Sequence, residues 1–61
     1  MFIVTCPDQH ISWEYFDFGA ARIAAEDLTR RYPISKVYLE HGKDPDGAAV
    51  VLYSWFNGVI Q

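Results

Sequence analysis

From Ala48 to Phe56 the chain carries no charge, and apolar side chains fall on both parities of the run. A strand with one buried face alternates apolar and polar residues. A run that is apolar on both parities predicts a strand with something against each face. Residues 1–6 also read as a strand, with Phe2 and Val4 on one side and Ile3 and Thr5 on the other. Ile11 to Phe16 alternates more regularly. Ile11, Trp13 and Tyr15 share one face, and Ser12 and Glu14 share the opposite one. Between these strands, Pro7-Asp8-Gln9-His10 has turn chemistry, because Pro fixes φ and the Asp side chain bonds the backbone ahead of it.

The period then changes. Asp17 is placed to cap a helix running to about Arg31, its carboxylate accepting an orphan amide at the positive end of the dipole. Ala21, Ala24, Ala25, Leu28 and Tyr32 fall on one stripe at 100° per residue. Arg22, Glu26 and Arg30 line another face at i, i+4 spacing. Ile23 projects with the charged residues. Pro33 ends the helix, since the residue before a proline is pushed out of the α region. Ser35 to His41 alternates again, with Val37 and Leu39 on one side and Lys36, Tyr38 and Glu40 on the other. Asp44-Pro45-Asp46-Gly47 suits a type I turn into the uncharged run. Asn57-Gly58 closes that run and leaves Val59-Ile60-Gln61 as a frayed or loosely docked tail.

The sum is an α+β domain over residues 1–61: ββαββ, a four-stranded mixed sheet in the order 2-1-4-3 packed on one helix. The alternative is βαββ with three strands, residues 11–16 being a loop. A right-handed crossover would bring strands one and four together as parallel central neighbours. Glu14, Lys36 and Glu40 would then guard the edges. That order resembles a β-grasp arrangement in topology, a likeness that implies nothing about function.

Pairing across the Asp44–Gly47 turn, with no bulge, sets Leu39 opposite Leu52 and Tyr38 opposite Tyr53. The helix-facing core is then Phe2, Val4, Ile11, Trp13, Tyr15, Val37, Leu39, Val50 and Leu52, closed by the alanine stripe. The open side carries Ile3, Tyr38, Val51, Tyr53 and Trp55, rimmed by Glu14 and Glu40. An apolar, aromatic centre with a charged rim has the anatomy of an interaction surface. These seven positions are the candidate partner-binding residues.

Composition narrows the function classes. Sixty-one residues make a small core, and 16% aromatic content partly offsets that. The formal charge of −3, with five basic residues, opposes phosphate-driven nucleic-acid binding. One cysteine excludes an intramolecular disulfide and suits a reducing, cytoplasmic setting. The opening Met1–Cys6 run is too short for a signal peptide, and nothing approaches a membrane span. The chain reads as a complete small open reading frame. Cys6, Asp8, His10 and His41 are the residues that a nucleophile or metal site would use, but they lack ligand spacing and an orienting third group. Asp44, Asp46 and Glu40 lack the run of a calcium loop. No catalytic, cofactor or metal residue is assigned, and no small-molecule substrate is evident.

The expectation is a non-enzymatic module that binds a protein partner or itself, as a homodimer, through the aromatic open face. Its size and charge are common among phage and mobile-element accessory proteins that inhibit a larger host protein. Two alternatives are single-stranded nucleic-acid binding by stacking on sheet aromatics, and a small enzyme or metal protein using Cys6, His10 and His41.

Overall fold

A computed structural model describes residues 1–42 and 50–61. The elements are β1 (Phe2–Cys6), a 3₁₀ turn (Pro7–Gln9), β2 (Ile11–Tyr15), α1 (Phe18–Arg31), β3 (Val37–His41), β4 (Val50–Phe56) and β5 (Val59–Ile60). One helix packs on a five-stranded antiparallel sheet with the order β2-β1-β3-β4-β5. The β1–β2 hairpin forms as its alternation predicts, with Val4 opposite Trp13. The turn expected at Asp44–Gly47 lies outside the described residues.

The helix obeys its sequence closely. The Ala20 amide donates to Asp17 Oδ2 at 2.8 Å, and Tyr32 ends the helix by donating its amide to the Leu28 carbonyl. Ala21, Ala25 and Leu28 are fully buried, and Ala24 and Tyr32 pack against the same core. Arg22–Glu26 and Arg31–Asp27 pair at i, i+4 spacing on the exposed side. At 1.5 Å per residue, the fourteen-residue helix spans roughly 20 Å, about the length of the strands it covers. It therefore starts where β2 ends and returns the chain to the far end of the sheet.

That return corrects the expected topology. The mixed four-stranded sheet in the order 2-1-4-3, with strands one and four parallel, does not form; nor does the three-stranded alternative. Instead β3 lies beside β1, antiparallel to it, with Val4 opposite Leu39 and Thr5 opposite Tyr38. The parallel pair behind the β-grasp likeness is absent among the described strands. The charges of β3 that would guard an edge point instead to the open face, where a central strand can keep them solvated, while Val37 and Leu39 are completely buried under the helix. A central β3 satisfies both faces.

The tail expected to fray is also ordered. Asn57 (φ 55°) and Gly58 (φ 78°) both have positive φ, the pattern of a type I′ hairpin turn. They fold β5 back on β4, with Trp55 opposite Ile60 and Phe56 opposite Val59. The Gly58 amide donates to Thr29 Oγ1 at 2.9 Å, which ties this hairpin to the last turn of the helix. Thr29 is buried, and that bond uses its hydroxyl.

Candidate functional site

The faces of β4 turn on one residue. Near its start the pairing is the expected one: His41 opposes Val50 and Glu40 opposes Val51. Leu39, however, opposes Tyr53 rather than Leu52, and Tyr38 opposes Ser54 rather than Tyr53. Leu52 has no partner on β3. It is the extra residue of a β-bulge, and from there on every side chain of β4 changes face relative to an uninterrupted strand.

The consequence is a correction to the expected surface. Trp55 is 2% exposed and belongs to the core with Val4, Cys6, Ala21, Ala25, Leu28, Val37 and Leu39. Tyr53 lies on the helix side, its ring 6.1 Å from Phe18 and 6.1 Å from Trp55, with the Arg22 guanidinium 5.9 Å from its centroid. Neither belongs to the open face. A strictly alternating β4 would set Ser54 against the core and the indole in water. The bulge exchanges them, and the small side chains of Ala21 and Ala25 leave room for the largest ring in the chain. Phe2 joins this aromatic layer edge-on to Phe18 at 5.4 Å.

Ile3, Glu14, Tyr38, Glu40 and Val51 do share the open face. Glu14, Ile3, Glu40 and Val51 form one row across four strands. The next row is Ser12, Thr5, Tyr38 and Ser54. This face is therefore largely polar, and its aromatic members are Tyr38 and, at its far end, Phe56. A base-stacking platform built on Tyr53 and Trp55 loses both.

The uncovered apolar surface lies elsewhere. Val50 and Leu52 were expected in the helix-facing core, but they are 56% and 39% exposed. The helix sits over the middle of the sheet and stops short of its margins. Val50, Val51, Leu52, Tyr53, Phe56, Val59 and Ile60 are all exposed along β4 and β5. β5 is two residues long, and Gln61 reaches back only to the Ser54 carbonyl. Among the described residues, Val50 to Tyr53 therefore have no strand on their outer side. Trp13 is likewise half uncovered at the opposite margin, although it faces the helix side. The signal that could have located the β4–β5 margin was Asn57-Gly58 between apolar residues, a hairpin signature rather than a strand end.

Cys6 and His41, two of the groups considered for chemistry, are kept apart. Cys6 is fully buried at one end of β1, and His41 opposes Phe2 at the other. That is four residues along a strand, roughly 13 Å. His10 is the left-handed residue closing the 3₁₀ turn. Among the described residues, no three His, Cys, Asp or Glu side chains gather around a common point. No helix among them is long and apolar enough to cross a membrane. No protein-family model, curated protein or solved structure matches the chain.

Proposed function

We propose that this chain is a non-enzymatic protein-interaction module, and that its contact surface is the β4–β5 margin, which takes in the Val51 and Phe56 end of the open face, rather than the centre of that face. One observation carries the reading: Val50, Val51, Leu52, Tyr53, Phe56, Val59 and Ile60 are all exposed along the two faces of one sheet edge, on a stretch without a single charged side chain from Ala48 to Gln61. Isolated apolar residues on a surface are ordinary, but a contiguous apolar patch is the usual mark of a site that another macromolecule covers. Tyr53, held from behind by Phe18 and Arg22, is a half-exposed and orientationally fixed aromatic. Such residues are enriched among binding hot spots.

The test is retention of a cellular protein by the immobilised chain, compared with Leu52→Glu and with Tyr38→Ala. Loss with Leu52→Glu and retention with Tyr38→Ala supports the margin. The opposite pattern would return the site to the open face.

A further inference from the structure

We infer that Asn57-Gly58 is a self-modification site, reacting by intramolecular deamidation, and that the buried Thr29 hydroxyl governs its rate. The site takes no reactant beyond water.

The sequence supplies the chemistry. Asparagine is a thermolabile residue, and a following glycine exposes it most, because no side chain hinders approach to the next amide nitrogen. The Gly58 nitrogen loses its proton and attacks Asn57 Cγ. The N–Cγ bond forms, the Cγ–Nδ2 bond breaks, and ammonia leaves with the proton. Water then opens the cyclic imide at either carbonyl, giving aspartate or isoaspartate. Asn57 is the one asparagine of the chain.

The fold both presents this dipeptide and restrains it. Asn57 and Gly58 are exposed in the β4–β5 turn, and a Cβ added at Gly58 would meet nothing within 4 Å. Solvent access and sterics therefore leave the reaction open. The turn holds Asn57 at φ 55° and Gly58 at φ 78°, closed by the pairing of Phe56 with Val59. The nucleophile is also engaged, since the Gly58 amide donates to Thr29 Oγ1 at 2.9 Å. Ring closure needs the peptide plane between the two residues to rotate and its nitrogen to give up the proton. Both break that bond. Thr29 is itself 2% exposed in the last turn of α1, so the acceptor is fixed by the helix rather than by the hairpin.

The product alters this end of the sheet in two ways. Isoaspartate adds a main-chain carbon that a two-residue turn cannot absorb, so β5 loses its register on Trp55 and Phe56. Either product also places a carboxylate on the stretch from Ala48 to Gln61, which has no charged side chain.

Intact-mass spectrometry over days in mildly alkaline buffer, with and without denaturing urea, tests this. The amide-to-acid mass gain reports Asn57, and Asn57→Gly, which keeps the left-handed turn, is the blank. The folded parent should react at least about fivefold more slowly than in urea, the worth of one hydrogen bond. Thr29→Val should recover about that fivefold while folded, and match the parent in urea. Thr29→Ser, which keeps the hydroxyl, should stay at the parent's rate. Circular dichroism establishes that each variant is folded, and Thr29→Ala repeats the comparison should valine not fold. A folded parent that reacts as fast as in urea overturns the inference. So does a folded Thr29→Val that reacts no faster than the parent, or a parent in urea that gains no more mass than Asn57→Gly.

Discussion

Val50–Leu52 and Trp55 belong to one strand, carry no charge, and differ little in hydrophobicity, yet their environments are opposite. Trp55 is enclosed by helix and sheet, whereas Val50 and Leu52 stand in solvent. The difference is position relative to α1, not composition. The helix lies over β1 and β3, and the twist and bulge of β4 carry only its later part beneath that cover. A strand apolar on both parities can thus mean two things in succession: core at one end and surface at the other. Reading the whole run as having one buried and one open face misses that the division runs across the strand as well as through it.

The sharpest way to break this comparison is to truncate the buried end. Trp55→Ala removes the largest fully buried side chain and should cost about 3–5 kcal/mol. A domain of this size has roughly 3–9 kcal/mol in total. The variant should therefore be largely unfolded at 25 °C by circular dichroism, or melt far below the parent in urea. A cooperative transition within about 1 kcal/mol of the parent would place the indole outside the core.

Deleting Leu52 asks whether the bulge divides the strand. All the observed β3–β4 pairs omit this residue. Removing it would leave Glu40 opposite Val51 and Leu39 opposite Tyr53 on an uninterrupted ladder. The expected outcome is a folded protein destabilised by no more than about 1–2 kcal/mol. If β4 instead alternated without a bulge, the deletion would turn Tyr53 to Phe56 onto the wrong face and abolish folding. Indole fluorescence and a urea titration distinguish the two.

Much of the fold was legible because it is written locally. The Asp17 cap, the alanine stripe and the β1–β2 alternation each involve neighbours within a few residues. The order of the central strands was not, because it depends on where a helix of given length returns the chain. The charges of Lys36 and Glu40 are as compatible with a solvated face as with an edge. The candidate surface was misplaced for a narrower reason. One unpaired residue reverses the face of everything after it, and nothing in Val50-Val51-Leu52-Tyr53 announces which residue that is. Burial could have supplied a hint. Placing Ser54 toward the helix and Trp55 in water is the costlier choice for a core closed by alanines, so the bulge could have been favoured on energetic grounds.

The smallest of the expected effects bears on what holds the buried end apart from the open one. Thr29 reaches from the last turn of α1 to the Gly58 amide in the β4–β5 turn. Asn57 and Gly58 supply the positive φ values, but a two-residue strand has little else to anchor it. Thr29→Val keeps the shape of the side chain and removes its oxygen. The Gly58 amide would lose its acceptor in a partly buried place, while the Asn-Gly turn itself would persist. The loss should be about 1 kcal/mol, the usual net value of one hydrogen bond. Its signature should be local: amide exchange should quicken at Gly58 and Ile60 and change little in β1 and β3, interior strands that carry the buried core. If exchange rose uniformly, the bond would support the core as a whole, and β5 would be part of it rather than a guard laid along its margin. If exchange at Gly58 did not change, the turn would hold itself, and the helix would contribute nothing to where the exposed edge of β4 ends.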